Sequence, residues 1–236
     1  MRRRFFVEQF NGNTAVMTGD AAHHVGRVLR AERGQLYELS DGQAAWLARI
    51  EDVSRDRVEF ALVEPIASRE AAFQATLLLS IVKFDSFEWA IEKATELGVH
   101  TIVPVAAARS EKALLHAAEK RAERWKKILL EASQQSRRVA IPALRSLEKS
   151  GAAFSQADGC KVMLSERAEA RPLRTILPAE APCKVTLAIG PEGGWTEEEF
   201  SAAAAAGFRE AALGSLILRT ETAVIAALAG LNYALG

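Results

Sequence analysis

Two glycine-bearing segments near the C-terminus have the residue types and spacing to do chemistry. One is Gly190-Pro191-Glu192-Gly193-Gly194; the other starts at Leu213-Gly214 and runs through Ile217-Leu218-Arg219-Thr220-Glu221-Thr222-Ala223. Each follows a short apolar run that reads as a buried strand, Val185 to Ile189 and Ala211 to Leu213, and each leads into a helical pattern. Glycine tolerates positive φ and has no side chain to hold a ligand at a distance, so two such turns suit a site where backbone approaches a small molecule. Pro191 stiffens the first turn, and its three glycines leave N–H and C=O groups accessible. A ligand recognised through main-chain hydrogen bonds matches this chemistry, an adenine ring or an amino-acid moiety for example. A plain tight turn explains the glycines equally well at this level.

Other chemistries find no footing. There is no G-x-x-x-x-G-K-[ST] phosphate loop, no G-x-G-x-x-G after the first strand, no G-x-S-x-G elbow and no H-E-x-x-H. His23 and His24 are adjacent, His100 and His116 are isolated, and Cys160 and Cys183 lack metal-ligand spacing. No metal is expected, and the two thiols suit a reducing cytosol.

The elements that must position these turns follow from periodicity. Residues 1–68 read as β-rich, with runs at Phe5-Phe6-Val7, Thr14 to Met17, Gln35 to Leu39, Ala44 to Ile50 and Arg57 to Val63, separated by turn signals. Asp20 to Leu29 reads as one helix with Asp20 as its N-cap, giving a small barrel with a helix. A linker is expected at Pro65 to Arg69. Beyond it, residues 72–236 alternate strands (Ala75 to Val82, Thr101 to Val105, Ala143 to Leu147, Lys161 to Leu164, Val185 to Ile189) with helices, the pattern of a parallel α/β sheet. Ser86 to Leu97 is the first of these helices, with Trp89, Ala90, Ala94 and Leu97 inward and Gly98 as its stop. Ala113 to Arg138 is a long helix with Leu114, Trp125, Ile128, Leu129 and Ala132 inward. Thr196 and Glu199 form a capping box for a helix reaching Gly207, and a last helix starts near Thr222.

At 49% hydrophobic and 25% charged residues, the 236-residue chain has an ordinary globular composition. Net charge is zero, yet residues 105–150 hold 11 Lys and Arg against 5 Asp and Glu, so any nucleic-acid contact must be local. No apolar run approaches the roughly 20 residues of a membrane span, and the apolar stretch after Met1-Arg2-Arg3-Arg4 is too short for a signal peptide. A soluble, cytoplasmic protein without membrane partners is expected.

The quoted loops, with Arg4-Phe5-Phe6, His24 through Arg30, Glu92 through Val99 and Glu131 through Arg138, make the chain similar to the SPOUT class of S-adenosylmethionine-dependent RNA methyltransferases. Within that class it most resembles the ribosomal RNA small subunit methyltransferase E family, which methylates N3 of a uridine in 16S rRNA. The chain departs from the family at Leu216, where the family usually carries a basic residue.

The resemblance implies an N-terminal PUA-like β-barrel, a C-terminal α/β domain with a trefoil knot, and a homodimer acting on 16S rRNA or the small ribosomal subunit. It implies that S-adenosyl-L-methionine sits among three loops: Leu164-Ser165-Glu166; Ile189 with Gly190, Pro191, Glu192, Gly193 and Gly194; and Leu213, Gly214, Ile217 and Leu218. Arg219 would stabilise negative charge on the uracil and Glu221 would accept its proton. RNA would be held by Arg2, Arg3, Arg4, Arg27, Arg30 and Arg33 of the small domain, and by Lys120, Arg121, Arg124, Lys126, Lys127, Arg137 and Arg138.

Overall fold

A computed structural model describes residues 4–67, 71–179 and 183–236. The chain divides into two compact units, Met1–Glu70 with Ser133–Ile141, and Ala71–Ala132 with Pro142–Gly236. The returning segment 133–141 lies outside the expected 1–68 boundary.

The first unit is a curled six-stranded sheet. Its strands are β1 (Arg4–Phe6), β2 (Phe10–Asn11), β3 (Thr14–Thr18), β4 (Leu36–Ser40), β5 (Ala45–Val53) and β6 (Arg57–Ile66), in the order β1-β4-β5-β6-β3-β2. Pairing is antiparallel except between β1 and β4. Alternating inward residues supply the core, including Phe5, Leu39, Ile50, Val58 and Phe60. The single helix expected over Asp20 to Leu29 is two pieces, α1 (Gly19–His23) and a π-helical turn at His24–Val28. Thr18, not Asp20, occupies the N-cap, and its side chain makes no capping bond. Gly26 lies inside the π-turn, where a Cβ would come within 3.1 Å of Val53 Cγ1.

The segment 133–141 fastens onto β1 and β4 within this unit. The Arg138 N–H donates to Ser133 O at 3.0 Å, and Arg137 has φ 57°, the left-handed turn that ends a helix. Arg4 Nη1 donates to Arg137 O at 2.7 Å, and Ser40 Oγ donates to Val139 O at 2.7 Å.

The second unit holds β7 (Phe73–Ser80), α2 (Phe84–Glu96), β8 (Thr101–Ala106), most of α3 (Lys112–Gln135), β9 (Ala143–Leu144), β10 (Glu148–Lys149), α4 (Ser150–Ser155), β11 (Cys160–Leu164), β12 (Arg171–Pro172), β13 (Cys183–Ile189), α5 (Glu197–Ala205), β14 (Arg209–Ala212) and α6 (Thr220–Leu235). Eight strands form one parallel sheet in the order β10-β8-β7-β13-β11-β14-β12, with β9 beside β8. The central strands β7, β8 and β13 are largely apolar because both faces are covered. Leu77, Leu79, Ile102 and Leu187 pack with Phe87 and Ile91 of α2, Trp125 of α3 and Val224 and Leu228 of α6. Leu78, Val103 and Ala188 pack with Phe154, Trp195, Ala203 and Phe208.

Two sequence expectations change here. Trp89 is 44% exposed, while its neighbour Glu88 turns inward and is 8% exposed. Glu88 accepts from Arg124 Nε at 2.7 Å and Arg121 Nη1 at 3.2 Å, which satisfies a carboxylate that burial would otherwise penalise. Of the strand expected over Ala143 to Leu147 only β9, Ala143–Leu144, forms; β10 and α4 follow it beyond that range, and periodicity did not reveal α4. Among the described residues no helix is long and apolar enough to cross a membrane.

Candidate functional site

Strands β13, β11 and β14 are adjacent and parallel, so their C-terminal ends share one edge of the sheet. The segments that leave those ends converge on a cavity of about 580 Å³. That size lies within the roughly 300–1,000 Å³ of small-ligand sites, and the position is where open parallel sheets bind ligands. Its walls are Leu164, Ser165, Glu166, Arg167, Ala168 and Ala170 after β11, and Ile189 through Trp195, Glu197 and Phe200 after β13. Ala211 through Leu218, Thr220, Ala223 and Arg109 complete them.

The glycine loop is held by its carbonyls. Gly194, at φ +71°, donates its N–H to Pro191 O at 2.8 Å and closes the turn. Thr220 Oγ1 donates to Gly190 O at 3.0 Å and ties the start of α6 to the loop. Arg109 Nη1 donates to Gly193 O at 2.7 Å and Trp195 O at 3.2 Å. Among the described residues, the N–H groups of Glu192, Gly193 and Trp195 have no partner within the chain. The loop therefore offers hydrogen-bond donors, the backbone chemistry expected for an acceptor-rich ligand. Trp195 Nε1 is also buried without a partner. A Cβ on Gly190 would come within 3.1 Å of that atom, so a side chain there would require the Trp195 ring to shift.

The capping box forms as expected. Thr196 Oγ1 accepts from the Glu199 N–H at 3.3 Å, and Glu199 Oε2 accepts from the Thr196 N–H at 3.0 Å. The other carboxylate oxygen of Glu199 accepts from the Ala108 N–H at 2.9 Å, which anchors the loop carrying Arg109. Glu198 has its carboxyl pulled below the usual range, first by its own backbone N–H, then by the Thr196 hydroxyl and the positive charge of Arg109. Arg167 is braced by Glu197 at 3.5 Å and Glu210 at 3.7 Å, and its guanidinium lies 4.6 Å over the Phe200 ring.

All the residues expected at the cofactor line this one cavity: Leu164, Ser165, Glu166, Ile189, Gly190, Pro191, Glu192, Gly193, Gly194, Leu213, Gly214, Ile217 and Leu218. Arg219 and Glu221 are not among its walls. Arg219 is the exposed N-cap of α6, between the lining residues Leu218 and Thr220. Glu221 is 8% exposed. Thr220 and Ala223 share the helix face that lines the cavity, and Glu221 lies about 100° round from Thr220. Glu221 therefore lies off the face of α6 that lines the cavity.

The basic residues separate by their partners. Arg2 and Arg3 lie outside the described residues. Arg4 is corrected: its side chain is 7% exposed, with Nη2 3.1 Å from Glu38, so it serves the packing of the first unit and cannot reach a phosphate. Arg27 and Arg30 flank the end of the π-turn, exposed and without side-chain partners among the described residues, beside the exposed Val28 and Leu29. Arg33 stands 3.7 Å from Glu51, and Arg124 is drawn to Glu88 yet stays 62% exposed. Arg137 lies 3.6 Å from Glu38, and Arg138 is half-buried with Nε donating to Ala140 O at 3.0 Å.

Sequence reasoning missed Arg109, Arg167, Trp195 and Phe200 in the walls, and the structural role of Thr220. Thr220 lies within the quoted segments, and Arg167 and Trp195 directly follow two of them; Arg109 has no local signal at all.

A parallel sheet with covered faces and a donor-rich glycine loop at its C-terminal edge defines an α/β class that takes its ligand at the strand ends. Residues 69–232 match the family model described as the RNA methyltransferase domain. Over 98% of this chain and 96% of the relative, the sequence is 32% identical to Ribosomal RNA small subunit methyltransferase E of Bacillus subtilis. The Synechocystis protein of the same name is also 32% identical, over 95% of this chain and 75% of that protein. The crystal structure of the Neisseria gonorrhoeae protein of that name, bound to S-adenosyl methionine, superposes with TM-score 0.89 at 29% identity, covering 99% of this chain and 98% of that one. A methyltransferase from Legionella pneumophila in complex with the same cofactor gives TM-score 0.88 at 31% identity, with 99% and 98% covered. The chain belongs to the ribosomal RNA small subunit methyltransferase E family.

Proposed function

We propose that this protein transfers a methyl group from S-adenosyl-L-methionine to N3 of a uridine in the 16S rRNA of the small ribosomal subunit. The observation that carries the reading is the convergence of three separate sequence segments on one cavity of about 580 Å³, in a chain of this family. When bound, S-adenosylmethionine supplies an electrophilic sulfonium methyl group. The N–H groups of Glu192, Gly193 and Trp195 and the apolar Leu164, Leu213, Ile217 and Leu218 would hold and orient it. Such holding converts a bimolecular encounter into a positioned one and keeps water away from the reacting atoms.

The uridine N3 lies on the Watson–Crick edge, so the base must leave its stack to reach the site. The N3 proton passes to solvent, and its loss places negative charge on the uracil oxygens. Arg219, exposed beside the cavity wall, is the residue we assign to stabilising that charge. RNA backbone is assigned to Arg27 and Arg30 of the π-turn, with Arg124, Arg137 and Arg138 as further contacts.

The six-stranded unit is read as a PUA-like barrel. The strand order, with β13 between β7 and β11, and the Thr220–Gly190 tie accord with a knotted C-terminal segment. Leu216 and Ile217, 80% and 78% exposed, are an apolar cost in a monomer and suit burial in a homodimer. With ribosomal RNA as substrate, the protein would work in the cytoplasm.

The test is methyl transfer to small-subunit RNA, followed by mass spectrometry of the nucleosides. The wild-type protein is expected to yield N3-methyluridine. Arg219→Ala should lower turnover by roughly 10²-fold, the loss typical of one stabilising donor, with cofactor affinity within a few-fold. A different methylated nucleoside would move the acceptor, and full activity of Arg219→Ala would remove that residue from the mechanism.

A further inference from the structure

The loop between β8 and α3 contacts three different elements through three successive residues. The Ala108 N–H donates to the buried carboxylate of Glu199 at 2.9 Å. Ser110 Oγ donates to Ile81 O at 2.8 Å, in the interior. Between them Arg109 reaches the glycine loop with Nη1 2.7 Å from Gly193 O and 3.2 Å from Trp195 O. A Cβ built on Gly193 would touch Cβ and Cδ of Arg109 at 3.4 Å, so the aliphatic stem of the arginine lies along the loop backbone. Both ends of this strut are fixed, which is the condition for a side chain to set the position of what it touches.

The backbone accounting gives the strut a purpose. Gly190 O is taken by Thr220, Pro191 O by the Gly194 N–H, and Gly193 O and Trp195 O by Arg109. Without Arg109, two carbonyls of the loop would be unpaired at the wall of the cavity. The Gly193 carbonyl shares its peptide with the Gly194 N–H, so fixing it keeps that N–H on Pro191 O, and the Pro191 carbonyl in turn shares its peptide with the Glu192 N–H. We propose that Arg109 is a positioning residue for the methyl donor. It holds the Gly193 peptide, through it the Gly194–Pro191 turn bond, and so keeps the Glu192 N–H available to the ligand. This rests on the cavity being the cofactor site, as proposed above.

The experiment compares wild type, Arg109→Ala and Arg109→Lys by calorimetric titration with S-adenosylmethionine, by amide hydrogen exchange in the ligand-free proteins, and by thermal melting. Arg109→Ala is expected to weaken cofactor binding at least 10-fold. Faster exchange should be confined to residues 192–195, with the melting temperature changed by no more than a few degrees. Arg109→Lys is expected to fall between the two, because an ammonium lacks the fixed planar fork of the guanidinium. Affinity within two-fold of wild type together with unchanged loop exchange would overturn the proposal. If Arg109→Ala does not fold, Arg109→Lys decides by the same criteria. If wild type itself fails to bind the cofactor, the functional reading falls, while the loop exchange still tests the strut.

Discussion

Thr220→Val separates a hydrogen bond from the space it occupies. Thr220 is 4% exposed, and its hydroxyl donates to Gly190 O at 3.0 Å. Valine keeps the shape and removes the donor, so the Gly190 carbonyl is left without its partner at the wall of the cavity. An unmatched polar group of that kind costs about 1–3 kcal/mol, which in a chain of this size lowers the melting temperature by roughly 2–12 °C. Thr220→Ser keeps the hydroxyl and loses one methyl, about 0.8 kcal/mol if fully buried. Scanning calorimetry on the full chain reads the difference, because the two compact units can melt as separate transitions. The valine variant should lower only the transition of the unit that contains the cavity, and it should also weaken binding of S-adenosylmethionine, since the tie joins two of the three loops. Equal melting of the valine and serine variants would refute the claim that this bond holds the loops together.

Two further outcomes follow from the electrostatics. The carboxyl of Glu198 is held below its usual range, so it stabilises the fold at pH values above that range, and the contribution disappears as pH falls through the lowered value. Glu198→Gln should therefore melt slightly below wild type near about pH 7, with the gap closing as pH falls through the lowered value; a gap that stays constant across the titration would contradict this. If Arg27 and Arg30 each meet a phosphate, replacing both with glutamine should reduce the slope of log affinity for RNA against log salt by roughly 1.4–1.8, and an unchanged slope would remove the π-turn from the interface.

The two glycine loops were readable because each element leading to them is local. Continuous apolar runs marked β7, β11 and β13, and Thr196 with Glu199 announced the start of α5. Parallel strands put the loops on one edge of the sheet, but that all three meet at one cavity follows from the family resemblance and the strand order, not from pattern alone. What escaped was decided by partners distant in sequence. Arg109 acts on a carbonyl 84 residues away. Trp89 was placed inward on periodicity, but Glu88 takes the buried position because α3 brings two arginines to it. Arg4 carries the same lesson: counted as a phosphate contact from its charge, it is buried and held by Glu38 and the Arg137 carbonyl. The segment 133–141 joins the first unit through such contacts, which composition does not signal.

A crystal structure of the protein grown with S-adenosylmethionine puts the site to the proof. Density for the cofactor is expected between Leu164–Arg167, Gly190–Trp195 and Leu213–Leu218, with the N–H groups of Glu192, Gly193 or Trp195 within hydrogen-bond distance of its acceptor atoms. Cofactor density elsewhere on the chain, or ordered cofactor that these three segments do not touch, would contradict the reading.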